Sequence, residues 1–308
     1  MNRILSVFLL FIISALGFAT SAHATEYPLP PAGSRLIGEN IIYTVPADSK
    51  MDLETIADKF KVGFYAMLQA NPDIDAYLPR PGSQIIIPHQ IILPDTKREG
   101  IVVNLAEMRL YHYPKGKNTV IVYPIGVGQQ GINTPLMTTT ISQKIPNPTW
   151  TPTPNIRKRY AAQGITLPAV WPAGPDNPMG EFALRLAYGS GTYLIHGTNA
   201  DFGIGLRVSS GCIRLRPNDI KTLFQSVDKG TRVQILDDAI KVTVEPDGRR
   251  YVEVHEPLTQ HEGQDSKTMP IPFSPAVRSF ATHPNTDAAM FDQQVVRRSG
   301  LPTFVGRQ

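Results

Sequence analysis

Between Ile101 and Arg216 no long run of apolar residues recurs at helical spacing, and prolines and glycines break the chain at short intervals. With 28 prolines and 24 glycines in 308 residues, this is the feature that most narrows the fold. A βαβ unit needs a helix between its strands, so the segment reads as a mainly β core. Ile101 to Leu105, Arg109 to Tyr113 and Thr119 to Val127 are strand-like, the last two joined by the turn Pro114-Lys115-Gly116-Lys117. Pro217-Asn218-Asp219 opens the one clear helix, with Ile220, Leu223, Phe224 and Val227 on one face, and Thr231 to Leu236 returns as a strand.

Other units flank this core. Residues 1–24 read as a secretory signal, with Arg3, an apolar run from Ile4 to Phe18, and Ala22-His23-Ala24 as a small-x-small cleavage site. The run is shorter than the ~20 residues a membrane span needs, and no cysteine follows it to take a lipid. An exported chain starting near Thr25, with no integral membrane segment after cleavage, is expected. Residues 25–39 form an extended leader. In residues 40–93 a strand from Ile41, a helix capped by Asp52, a helix from Phe64 halted by Pro72, and a strand from Ser83 to Ile87 form a small α+β module. Residues 238–308 are a C-terminal extension. It has a hairpin around Glu245-Pro246-Asp247-Gly248, a proline-rich polar stretch over 257–285 expected to lack regular order, and a helix from Asp287 to Arg298.

The chemistry concentrates in residues 195–216, which hold the sole cysteine, Cys212. An ordinary thiol near pKa ~8.5 is a poor nucleophile at neutral pH until a neighbour favours the thiolate. His196, Arg207, Arg214 and Arg216 are the neighbours in sequence, and the small turn Ser209-Ser210-Gly211 offers backbone N–H groups for an oxyanion beside the sulfur. Spacing alone leaves two readings. Either Cys212 and His196 are nucleophile and base, or they are a buried small residue and a satisfied histidine at a strand end.

The stretch resembles the signature of the L,D-transpeptidase (YkuD-type) catalytic domain: a His-Gly pair, a spacer of this length, then Ser-x-Gly-Cys, an aliphatic residue and arginine. The resemblance extends over roughly residues 99–237, through Glu107 to Tyr111, Gly126-Val127-Gly128, Thr134-Pro135 and Pro172 to Gly180. It implies a YkuD-like β-sandwich with a short helix. It makes Cys212 the nucleophile, His196 the base, Gly197 the residue whose carbonyl orients the imidazole, and Ser210 and Gly211 part of the oxyanion site. Arg214, Ser209 and Arg207 become substrate-binding candidates. Many members carry histidine where this chain has Ser210, which leaves His196 as the imidazole base. Residues 40–93 resemble a LysM module, which binds N-acetylglucosamine-containing glycans; a purely structural α+β module is the alternative. The Trp150 to Pro154 segment and the C-terminal extension are similar to the enterobacterial ErfK/YbiS-like subgroup, which implies a periplasmic enzyme. Its donors would be peptidoglycan tetrapeptide stems and its acceptor the C-terminal lysine of the outer-membrane (Braun) lipoprotein. A second stem, giving 3→3 cross-links, or water, giving a carboxypeptidase, are the other acceptors. Residues 149–173 read as an insertion, either a lid over the groove or a packed loop.

Other chemistries lack support. Gly126 to Gly131 matches a dinucleotide fingerprint but runs into Asn133-Thr134-Pro135 instead of opening a helix. Ser226-Val227-Asp228-Lys229 has no Lys-Thr-Gly partner. The seven histidines are scattered without a zinc-binding spacing, so neither metal nor other cofactor is expected. A net charge of +4 with no basic run gives no sign of nucleic-acid binding.

Overall fold

The computed structural model describes residues 24–199 and 203–307, so the expected signal peptide lies outside the described residues apart from Ala24. Its centre is a nine-stranded sheet. From one edge the strands run Thr25–Pro28, Thr119–Pro124, Arg109–Tyr113, Gly100–Asn104, Arg232–Leu236, Met137–Pro146, Phe182–Leu186, Leu194–His196 and Ile213–Arg214. Met137–Pro146 is the line along which the sheet folds. Its first residues pair with Arg232–Leu236, its later ones with Phe182–Leu186, and the register shifts between Ile141 and Gln143. The expected sandwich is therefore one sheet bent at a bulge, the usual device for turning a strand from one layer to the next.

Alternation along the central strand fills both faces. Ile101 and Val103 enter the inner core with Leu184, Ile195, Ile213 and helix residues Ile220 and Leu223. Val102 points the other way, onto Tyr111, Val120, Ile37 and Leu93. Each fully buried aliphatic side chain contributes roughly 1.5–3 kcal/mol relative to exposure. The helix Pro217–Ser226 starts with proline at its first turn, where the missing N–H is no loss, and lays Ile220 and Leu223 on that core.

The structure adds to three readings. The extended leader begins with Thr25–Pro28, which pairs antiparallel with Thr119–Pro124 as an edge strand of the main sheet. The insertion contains a helix, Pro154–Ala161, capped by the Thr153 hydroxyl accepting from the Ile156 N–H at 3.3 Å. Residues 257–285 are also partly regular: Ser274 caps the helix Pro275–Ala281, which buries Val277 and Phe280.

The two flanking units keep their own cores. Strands Ile41–Thr44 and Gln84–Ile87 pair antiparallel, and helices Leu53–Lys59 and Phe64–Ala70 pack Leu53, Ile56 and Met67 against Ile85 and Ile87. In the C-terminal extension Ile240–Val244 and Arg249–Val254 form the expected hairpin, joined by a third strand, Thr303–Arg307, that the sequence reading missed. Helix Ala288–Arg297, capped by Asp287, seals that sheet through Phe291.

A buried ionic cluster joins these units. Arg109 Nη1 lies 3.1 Å from both Glu107 and Glu253, and Lys241 Nζ lies 2.9 Å and 3.0 Å from the same carboxylates. His255 Nε2 is 2.7 Å from Glu253, which also accepts the Ile92 N–H at 2.6 Å. Glu107, Glu253 and His255 are close enough to share a metal, but the Lys241 ammonium already occupies the position between the carboxylates. No helix among the described residues is long and apolar enough to cross a membrane.

Candidate active site

Strands Leu194–His196 and Ile213–Arg214 run parallel, with Ile195 opposite Ile213 and His196 opposite Arg214. Successive side chains alternate across a strand, and Ile195 and Ile213 are the pair facing the core, at 0 % and 1 % exposure. His196 and Arg214 therefore share the other face. Cys212, two residues before Arg214, is half-buried, with Sγ 3.7 Å from the Thr192 carbonyl.

Small residues make this turn possible. Gly211 has φ +98°, and a Cβ there would sit 3.2 Å from the Tyr193 ring. At Gly197 a Cβ would come 2.9 Å from Ile220 Cγ2, so the strand carrying His196 approaches the helix more closely than any larger residue permits. The Gly197 carbonyl in turn lies 2.6 Å from His196 Nδ1.

The electrostatics differ from the simplest expectation of a thiolate paired with an imidazolium. Burial, reinforced by the Arg214 cation, pulls the His196 imidazole down to about 4, against hydrogen bonds to the Gly197 and Met179 backbones. Burial pushes the Cys212 thiol up, against the Leu194 backbone and Arg214, which favour the thiolate. At neutral pH the resting pair is thus thiol and neutral imidazole. The charge that favours a thiolate comes from Arg214.

Not every residue singled out in the sequence faces this site. Ser209 is buried at 2 % exposure, and its hydroxyl accepts the Gly211 N–H at 3.2 Å while donating to the Cys212 carbonyl, so it pins the turn instead of meeting substrate. That bond also engages the Gly211 N–H, removing it from the proposed oxyanion donors. Arg207 is committed elsewhere: its guanidinium donates to Gly128 O, Thr259 O, Thr259 Oγ1 and Asn133 Oδ1. Arg216 reaches the N-terminal module, 2.7 Å from Asp58 and 3.2 Å from the Val62 carbonyl. Ser210 is exposed and accepts from Arg159 Nη2 at 3.3 Å. Arg159 belongs to the inserted helix and was not anticipated; its neighbour Tyr160 lies in the segment that reads in sequence as a lid or a packed loop. The Thr153-Pro154 pair, a capping residue followed by proline, was the local signal for that helix.

Residues 98–235 match the model of the L,D-transpeptidase catalytic domain, and residues 239–305 that of the L,D-transpeptidase C-terminal domain. The chain is 57% identical over 296 residues to the probable L,D-transpeptidase YcfS of Escherichia coli K12, spanning 96% of this chain and 92% of that relative. The chain belongs to the L,D-transpeptidase family. This L,D-transpeptidase is also 50% identical to the probable L,D-transpeptidase YbiS of the same strain, over 98% of its own length and 99% of the relative's. It is 50% identical to the probable L,D-transpeptidase ErfK/SrfK of Salmonella typhimurium, over 99% and 98% of the two chains. The L,D-transpeptidase is accordingly an acyltransferase, with a mainly β, YkuD-like catalytic fold.

Proposed function

We propose that this L,D-transpeptidase acts in the periplasm on peptidoglycan tetrapeptide stems through a Cys212 thioacyl intermediate, and passes the acyl group to the C-terminal lysine of the outer-membrane lipoprotein. The observation that carries the reading is the parallel pairing of His196 with Arg214, which brings the chain just after Cys212 against the strand that carries the histidine. Cys212 Sγ attacks the carbonyl carbon of the third stem residue. With the Gly197 carbonyl on Nδ1 orienting the ring, the His196 imidazole takes the thiol proton. Since the thiol is raised and the imidazole lowered, the proton leaves sulfur as the carbon–sulfur bond forms. Backbone N–H groups of Ser210 and Cys212 hold the oxyanion, each donor worth ~3 kcal/mol of barrier. Collapse breaks the bond to the terminal D-alanine, whose nitrogen takes the proton from His196. The acceptor amine then attacks the thioester, gives its proton to His196, and the sulfur leaves as thiol.

Residues 40–93 supply the glycan-holding part of the proposal. Tyr77 and Leu78, 88 % and 68 % exposed between the second helix and the strand Gln84–Ile87, are apolar surface of the kind that stacks on sugar rings.

Mass spectrometry of tetrapeptide muropeptides incubated with residues 25–308, with and without a peptide of the lipoprotein's C terminus, tests this. A peptide-linked muropeptide that disappears in Cys212→Ala is expected. A muropeptide dimer or a bare tripeptide would replace the acceptor with a second stem or water. Unchanged product from Cys212→Ala would remove the assigned nucleophile.

A further inference from the structure

Residues 129–134 form a loop laid against the nucleophile turn. The Gln129 N–H donates to the Ser209 carbonyl at 2.9 Å, and a Cβ on Gly211 would lie 3.5 Å from the Asn133 carbonyl oxygen, so the loop touches this turn at two points. Ser210 and Cys212, the proposed oxyanion donors, flank Gly211. The loop has little hold of its own. Its one apolar side chain, Ile132, is 37 % exposed, and Gly131 sits at φ +79° with open space around it. A segment with so few buried apolar contacts keeps one position only where polar ties fix it.

Those ties lead to the C-terminal extension. Arg207 Nη2 donates to Asn133 Oδ1 at 3.0 Å, which leaves Asn133 Nδ2 as a donor, and Nδ2 meets Gln260 Oε1 at 2.5 Å. The Gln130 side-chain amide donates to the His261 carbonyl, and Arg207 Nη1 donates to the Thr259 carbonyl at 2.6 Å. The segment receiving these bonds is itself fixed. Leu258 is buried in the catalytic core, and the Gln264 side chain accepts the Gln260 and His261 N–H groups at 2.5 Å and 3.0 Å. Residues 258–264 are therefore a firm edge to which the loop is tied, and they belong to the C-terminal domain, not to the catalytic one.

We propose that Gln260 is a positioning residue of the reaction: through Asn133 it holds the loop 129–134 against Gly211, so the C-terminal extension sets where the Ser210 and Cys212 N–H groups point. The proposal rests on Cys212 as the nucleophile and on this turn as the oxyanion site. Gln260 acts at one remove, since its own bonds are to Asn133, Gln264 and Leu258. Oxyanion donors meet a charge that exists only in the transition state, so displacing them lowers kcat and leaves KM as it was.

Two experiments on the full chain after signal removal test it. The first uses the sole cysteine and needs no stem peptide. When p-nitrophenyl acetate acetylates Cys212, sulfur joins the acetyl carbon through an oxyanion and p-nitrophenolate leaves; iodoacetamide alkylates the same sulfur by displacing iodide, with no oxyanion. Both rates are read at Cys212 by mass spectrometry in the parent, Gln260→Ala, Asn133→Ala and the double variant. Acetylation is expected to be about tenfold slower in each single variant and no slower in the double, with alkylation and Tm as in the parent. Gln260→Glu, whose carboxylate still accepts from Asn133 Nδ2, is expected to acetylate at the parent rate. Asn133 is exposed, so its variant tests the loop without disturbing the half-buried Gln260 segment. Unchanged acetylation in Asn133→Ala, equal slowing of acetylation and alkylation, or a Gln260→Glu as slow as Gln260→Ala overturns the proposal. The second experiment measures a tetrapeptide donor, where Gln260→Ala should lower kcat at unchanged KM; a raised KM at unchanged kcat overturns it. A parent inert towards stem peptides whose acetylation still depends on Asn133 and Gln260 would instead sink the stem-peptide reading and leave the positioning role standing.

Discussion

At the residue scale the decisive feature is a histidine kept neutral. His196 is buried beside Arg214, and both influences disfavour the imidazolium, so its folded-state value of about 4 lies below the usual ~6.5. As the proposed base His196 must be unprotonated to work, so it stays competent as pH falls from 7 through 5 and fails only near 4. The acid limb of kcat/KM is therefore expected at about pH 4, read from initial rates on a tetrapeptide donor across pH 3.5–8. Arg214→Gln removes a cation that opposes protonation, so it should move this limb upward. A parent limb at the ordinary histidine value would contradict the buried, cation-flanked environment. The Cys212, His196, Gly197 and Arg214 set is proposed from a short signature resembling the family's, and the fold brings His196 and Arg214 together as paired residues of two parallel strands. Ser209 and Arg207 were misread because sequence spacing does not say whether a polar side chain turns to solvent or into its own loop.

At the element scale, the N-terminal module leans on the loop that precedes the nucleophile turn. The Tyr65 N–H donates to the Gly205 carbonyl at 3.3 Å, using an orphan donor at the start of the helix Phe64–Ala70. Gly205 has φ +81°, and a Cβ there would lie 2.5 Å from the Phe64 backbone nitrogen. Gly205→Ala is expected to cost roughly 1–3 kcal/mol in backbone strain and to push the module off this loop as well. Gly116→Ala is the control, since Gly116 has a similar φ of +76° with open space around it. Hydrogen exchange should show faster exchange at Phe64 and Tyr65 in the first variant and not in the second; equal protection in both would refute the docking argument. A glycine in Phe202-Gly203-Ile204-Gly205 announces a turn, but which one abuts another module depends on contacts about 140 residues apart in sequence.

At the scale of the whole molecule, buried charge welds the catalytic sheet to the C-terminal extension. Burial would raise Glu107 and Glu253, but Lys241 and Arg109, with His255 on Glu253, outweigh it and hold both carboxyls below the ordinary range. A depressed folded-state value means the stabilisation is fully present above the unfolded carboxyl pKa of ~4.3 and is lost as pH falls through the folded value. Stability to thermal unfolding is therefore expected to hold from neutral pH to about 4.5 and to decline below it. Glu253→Gln leaves Arg109 and Lys241 short of an anion and should cost about 3–5 kcal/mol at pH 7, with a flatter acid decline. A variant as stable as the parent in calorimetry would show that the cluster does not hold the units together.

The sequence by itself determined the β character of the catalytic unit and pointed to the residues proposed for its chemistry, because proline and glycine spacing, alternation and a short signature are local properties. It did not reveal the edge strand Thr25–Pro28, the third C-terminal strand Thr303–Arg307, the clamp at Glu253, or Arg159 over Ser210. Each of these depends on a partner far away in sequence, and strand pairing, burial of charge and the reach of an arginine are settled only when the chain has closed on itself.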